Sequence, residues 1–90
     1  MKRRRVDREA LAERLALPPE ALGALRVTVV GRGGVLIENH RGVDQFGEEY
    51  IRVRSVRGNF AVWGSDIRIR ALARDVLILE GDLRSMEWEE

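Results

Sequence analysis

Ninety residues with a formal net charge of +1, 44% hydrophobic and 34% charged, describe one small soluble domain able to bury a single modest core. The chain has no cysteine, which excludes a disulfide framework and thiolate zinc sites, and its one histidine, His40, cannot build a multi-histidine metal centre, so no cofactor is expected. No uninterrupted apolar run approaches membrane-spanning length, so direct membrane insertion is not expected and the chain should stay in the cytoplasm.

Lys2-Arg3-Arg4-Arg5 has the charge of a signal-peptide n-region, but Asp7, Glu9, Glu13 and Arg14 stand where its apolar core would have to be. Asp7 to Leu17 instead sets Ala10, Leu11, Ala12, Leu15 and Ala16 among charged residues. The pattern predicts one short amphipathic helix, with Asp7 as N-cap and Pro18-Pro19 as terminator. Residues 1–24 form a basic arm with this helix, and residues 25–90 form a β-rich domain.

From Leu25 onward Gly31 to Gly34, Arg41-Gly42, Gly47, Arg57-Gly58, Gly64, Asp75 and Gly81-Asp82 punctuate short apolar runs. That spacing predicts a mainly β fold of many short strands. Leu25/Val27/Val29, Val35/Ile37, Ile51/Val53, Phe60/Val62, Ile67/Ile69 and Val76/Ile78 supply alternating apolar faces, while Arg52/Arg54 and Arg68/Arg70 take the opposite face. Thr28-Val29-Val30 and Val76-Leu77-Ile78-Leu79 are apolar on both faces, as expected of strands lying between layers or covered by the N-terminal helix. A small antiparallel roll or sandwich is the simplest arrangement. The near-regular spacing also permits a β-solenoid-like stack, although no side-chain ladder recurs in fixed register.

The corner after Val35-Leu36-Ile37 concentrates hydrogen-bonding groups in Glu38-Asn39-His40-Arg41-Gly42, with Asn39 and Gly42 suited to φ > 0. Val27-Thr28-Val29-Val30-Gly31, this corner, Phe46, Ile51-Arg52-Val53, Gly58-Asn59-Phe60-Ala61-Val62, Gly64, Ile67-Arg68-Ile69 and Val76 to Leu83 together resemble the YabP/YqfC family of bacterial sporulation proteins, nearer its YqfC branch. The likeness covers about residues 25 to 88, and the Glu-Asn-His-Arg-Gly run is its specific part. Arg32-Gly33-Gly34 and Trp63 depart from it, both beside turns. The resemblance implies a small non-enzymatic protein of endospore formation that acts in the mother cell and binds other sporulation proteins, a membrane protein among them.

Catalytic signatures are missing from the residues themselves: there is no Gly-x-Ser-x-Gly, Walker or dinucleotide motif. Gly31-Arg32-Gly33-Gly34 is followed by a strand where a phosphate loop needs a helix, and reads as a hairpin turn. Glu38, Asn39, His40 and Arg41 are candidate interaction residues, yet all of them can also be satisfied within a turn: Asn39 by an Asx-turn, His40 by a neighbouring carbonyl, Arg41 by Glu38 or Asp44. Arg52, Arg54, Arg68 and Arg70 form a second candidate surface. Residues 51–74 hold six arginines against Asp66, and residues 75–90 hold six acids against Arg84, so charge is segregated and self-association into a homo-oligomer is expected. The arginines could instead track a nucleic-acid backbone, but only five aromatic residues accompany them and no recognition signature does, which makes nucleic acid the weaker reading.

Overall fold

A computed structural model describes residues 23–89. The arm and the helix predicted over 7–17 lie outside them. Six strands follow one another: β1 (Arg26–Val30), β2 (Gly34–Glu38), β3 (Val43–Phe46), β4 (Tyr50–Ser55), β5 (Gly58–Leu72) and β6 (Val76–Glu89). They form one sheet in the order β1-β2-β6-β5-β4-β3, and every pairing is antiparallel. The fold is thus mainly β and antiparallel. Stacked parallel rungs are absent from the described residues, so the solenoid alternative does not hold.

The strands are not uniformly short. β5 and β6 run for 15 and 14 residues, straight through the glycines expected to break them. Gly64 and Gly81 bend strands here instead of ending them. A Cβ on Gly64 would stand 2.2 Å from the Asp82 carbonyl oxygen, and one on Gly81, whose φ is +147°, would stand 2.7 Å from that of Asp66. Only glycine lets the two backbones come this close, and the register slips on both sides of the approach. Asp66 adds a left-handed φ of 54°.

This bend divides the sheet. Beyond it, Arg68–Leu72 of β5 pairs with Leu77–Glu80 of β6, which in turn pairs with β2 and β1. Before it, Asn59–Trp63 of β5 pairs with Ser85–Glu89 of β6 on one side and with β4 and β3 on the other. Val35, Ile37, Leu77 and Leu79 from the first half and Ile51, Val53, Phe60 and Val62 from the second join Ile67 in one buried cluster. Ile37 and Ile51 lie three strands apart in the sheet, about 14 Å across a flat one at ~4.8 Å per strand. Their membership of one core requires the sheet to fold over on itself, with each inner face covering the other.

The two halves are tied at both ends of the bend. The Gly64 and Ile67 amides donate to the Glu49 and Glu48 carbonyls at 3.0 and 2.8 Å, and the Gly81 amide donates to Gly33 at 3.1 Å. Alternation predicts the inner faces of β2, β4 and the first half of β5, but it places Val76 and Ile78 inward where the core takes Leu77 and Leu79. Cross-strand pairing decides this phase: Leu77 and Leu79 stand opposite Ile37 and Val35, and direct partners share a face. Thr28, Val29 and Val30 are not enclosed between layers either; Val29 and Val30 are 59% and 60% exposed on the edge strand β1.

Candidate functional site

Two constructions concentrate polar chemistry. The first lies on the outer face of the β3-β4-β5-β6 half. Period-two alternation turns Tyr50, Arg52 and Arg54 outward, opposite Ile51 and Val53. Tyr50 and Trp63 are direct cross-strand partners whose rings meet at 4.2 Å between centroids. The Tyr50 hydroxyl donates to Glu89 Oε1 at 2.6 Å across the intervening β5. A register shift around Asp44 in β3 lets that carboxylate meet the Arg52 guanidinium, whose Nε and one terminal nitrogen both lie 2.9 Å from Asp44 Oδ2. The other terminal nitrogen of Arg52 approaches Glu89 at 3.9 Å.

Ala61 explains how these long side chains fit. It pairs with Arg52 and Glu87 on the outer face yet is fully buried, so the tyrosine and arginine side chains close over a residue small enough to leave them room. The hydrogen bond to Glu89, then burial and the negative charge of Glu89, push the Tyr50 hydroxyl above its ordinary pKa. For Arg52, burial acts to lower the pKa, but the negative charge that Tyr50 carries once ionised, the hydrogen bond and charge of Asp44 and the charge of Glu89 outweigh it and hold the guanidinium more firmly protonated. Trp63 is 41% exposed beside this network, and Trp88, edge-on to Phe60 at 5.2 Å, is 54% exposed.

The second construction is the corner of Glu38-Asn39-His40-Arg41-Gly42. Asn39 adopts φ 68°, its amide donates to the Asp75 carbonyl at 2.7 Å, and its Nδ2 donates to Ala24 at 2.8 Å. His40 is buried. Its Nδ1 accepts the Gly42 amide at 3.0 Å, which assigns the ring proton to Nε2 for donation to the Ala73 carbonyl at 3.1 Å. Arg41 and Gly42 then exchange backbone bonds of 2.8 and 2.9 Å with Arg54 of β4. Five residues thereby join three parts of the chain: the lead into β1, the β5–β6 turn and β4.

The candidate residues are not brought together into one surface. Arg41 is exposed at the corner, Glu38 is half-buried at the end of β2, and Arg52 belongs to the outer network. Arg54 lies against Gly42, where its guanidinium leaves no room for a Cβ. Arg68 and Arg70 lie beyond the bend: Arg68 is seven positions along β5 from Ala61, the partner of Arg52, or about 23 Å of strand at ~3.3 Å per residue. Arg70 pairs loosely with Glu80 at 3.8 Å. The single arginine-studded face expected from alternation is therefore two separate patches, because β5 bends between them.

Sequence reasoning passed over Tyr50, Glu89 and Ala61, and offered Asp44 to Arg41 where the structure pairs it with Arg52. Tyr50 was within reach, being two residues from Arg52 on the same face. Glu89 is 39 residues from Tyr50 and had no local signal. Among the described residues, no group of three His, Asp or Glu side chains could hold a metal ion, and no helix is long and apolar enough to cross a membrane.

The family model described as the YabP family matches residues 22–90. The uncharacterized protein YqfC of Bacillus subtilis (strain 168) is 33% identical over 81 residues, which cover 89% of this chain and 87% of that protein. Since 89% of ninety residues is about eighty and the stretch 22–90 holds sixty-nine, the alignment includes roughly eleven or more residues of the arm. No solved structure matches the chain.

Proposed function

Because this chain belongs to the YabP family, we propose that it is a non-enzymatic protein of endospore formation, similar to YqfC, that works by binding other proteins and assembling with them. The observation that carries this reading is the pre-ordered outer face of β4, β5 and β6. Trp63 is exposed on a ring supported by Tyr50, and Arg52 is held in place by two carboxylates. Trp, Tyr and Arg are the side chains that dominate protein–protein binding energy, and fixing them beforehand lowers the entropy lost on association. The expected partners are other sporulation proteins, a membrane protein among them, and further copies of the chain. The expected compartment is the mother-cell cytoplasm.

The competing reading, a nucleic-acid module, is weakened by the same geometry. Arg52 is already committed to Asp44, Arg70 lies beside Glu80, and the two arginine patches stand on either side of the bend. Phosphate binding would appear as a steep loss of affinity with salt on a generic duplex or single strand.

Deletion in the endospore-forming host tests the main reading. Vegetative doubling time should be unchanged, while spores should lose heat or lysozyme resistance or show altered coat or cortex. Fully wild-type spores, obtained with any paralogue also deleted, would overturn it. Affinity capture from sporulating cells should recover a partner with the wild-type chain and lose it with Trp63→Ser; equal recovery would remove this face from the proposal.

A further inference from the structure

Beyond Gly81, β6 has β5 on one side only. Its pairing with β2 ends at Glu80, and among the described residues no backbone hydrogen bond reaches the other side of Ser85–Glu89. Such an edge offers a row of open amides and carbonyls, which many proteins blunt with a bulge or a proline. The edge at β3 is broken by the register shift at Asp44. Ser85–Glu89 is not broken: its register against Asn59–Trp63 runs over five consecutive positions. The two faces of this edge differ in kind. Ser85, Glu87 and Glu89 share the outer face with Trp63, Ala61 and Asn59, while Met86 and Trp88 lie on the core side opposite Val62 and Phe60. Met86 packs against the core, and Trp88 is left 54% exposed. On the outer side Glu49, Trp63, Gly64, Arg84, Ser85 and Glu87 line a hollow of about 430 Å³. Tyr50 meets the Trp63 ring from β4, and Ser85 on β6 is too small to cover it from the other side. Arg84 is drawn to Asp82 at 3.2 Å, whereas Glu49 and Glu87 have no ion pair among the described residues.

We propose that Ser85–Glu89 takes up an extended segment of a partner protein in which basic and apolar residues alternate. Strand addition satisfies the open amides and carbonyls, and period-two alternation sends the two kinds of side chain to opposite faces. Apolar residues fall on the core side, where they cover Met86 and the exposed flank of Trp88. Basic residues fall on the outer side, beside Ser85 and Glu87. A residue opposite Ser85 stands two strand spacings from Trp63, about 10 Å at ~4.8 Å per strand, so a lysine or arginine laid over Ser85 brings its charge to the Trp63 ring in the hollow that Glu49 and Glu87 also line. An acidic segment would meet Glu87 and Glu89 and be rejected. A second copy of this chain is a poor source of the segment. Its free basic edge at Arg68–Leu72 holds register for two positions, Arg68 and Ile69, before a shift, against five in Ser85–Glu89, and its Ile51–Arg54 run is paired on both sides. The proposal rests on the outer face of β4, β5 and β6 being a protein-binding surface, and adds the chemistry of what binds there.

Trp63 and Trp88 are the only tryptophans, so their indole resonances report the two faces of this edge separately. In the full-length chain, a blocked peptide of alternating lysine and valine should shift both indoles and the amides of Ser85–Glu89 saturably. Peptides of the same length that alternate glutamate with valine, or lysine with serine, should bind about fivefold more weakly or worse, the first losing the outer face and the second the core side. Glu87→Lys, at an exposed position, should weaken the lysine–valine peptide about as much and leave the melting temperature unchanged. Equal binding of the three peptides would overturn the proposal, as would shifts confined to β1 or to Arg68–Leu72. So would Ser85–Glu89 amides already protected in an oligomer that dissociates on dilution, since that result gives the edge to a second copy. No shift with the lysine–valine peptide, while Trp63→Ser still loses its captured partner, would overturn this proposal and leave the proposed function standing.

Discussion

Replacing Gly64 with alanine tests whether the bend depends on the close approach of two backbones. The new methyl would stand 2.2 Å from the Asp82 carbonyl oxygen, 3.0 Å from its carbon and 3.1 Å from Leu83 Cα. All three are main-chain atoms, so no rotamer change relieves the contact, and β5 and β6 must part by about 1 Å to restore ordinary van der Waals separation. The pairings of Gly64 with Leu83 and Ser65 with Asp82 stand in the way of that movement. Losing two ladder positions at about 1 kcal/mol each, with about 1–3 kcal/mol of overpacking, gives roughly 3–5 kcal/mol. That is a large part of the stability of a small domain and corresponds to a fall in Tm of about 12 °C or more. Gly31→Ala is the control: φ there is +63° but the space is open, so only backbone strain of about 1–2 kcal/mol applies. Thermal and urea denaturation followed by circular dichroism would rank the variants. A Gly64→Ala protein melting within 3 °C of wild type, or less affected than Gly31→Ala, would refute the account of the bend.

Tyr50 is the only tyrosine, so the rise in absorbance at 295 nm with pH reports its ionisation alone; its midpoint should lie above about 10 and fall in Glu89→Gln. Because the folded-state value is the raised one, the associated stability is complete below the unfolded value and is lost as pH rises through the folded one, so alkaline melts should show a steeper decline in wild type than in Glu89→Gln. His40→Ala should cost about 2–4 kcal/mol by leaving the Gly42 amide and Ala73 carbonyl without the ring between them; a loss under about 0.5 kcal/mol in urea denaturation would show that the ring is not a clamp. Arg52→Glu, set beside Asp44 and Glu89, should destabilise the monomer, whereas exposed Arg68→Glu should change its stability by less than about 0.5 kcal/mol. If the arginines of β5 meet the acidic end of β6 in a neighbouring copy, light scattering should show a mass that rises with concentration, falls with salt and is reduced in Arg68→Glu/Arg70→Glu; a strict monomer at high concentration and low salt would exclude that contact.

Alternation was a sound guide wherever one face was polar. Val35/Ile37, Ile51/Val53 and Phe60/Val62 face the core because Glu38, Arg52 and Asn59 leave their strands a single apolar phase. Val76-Leu77-Ile78-Leu79 carries no phase of its own, and its inward pair is chosen by what stands opposite on β2. Gly64 and Gly81 look like turn residues because a sequence does not distinguish a glycine needed for its φ from one needed for its missing Cβ. The Glu-Asn-His-Arg-Gly corner was legible as a site of dense hydrogen bonding, but its partners were not. Its links to Ala24, Ala73 and Arg54 follow from strand pairing over long separations, which no local pattern records. The Tyr50–Glu89 link was hidden for the same reason.

The shared hairpin has a kinetic consequence. β5 and β6 run through both halves of the roll, so neither half owns a complete set of strands and neither can melt while the other persists. Amide exchange should accordingly slow to a common rate along Phe60–Val62, Leu77–Leu79 and Val35–Ile37, even though these segments lie on opposite sides of the bend. Folding has a natural order as well. The β5–β6 turn closes a short loop, so this hairpin can form early, while the corner at His40 can lock only after β2 and β4 have both docked.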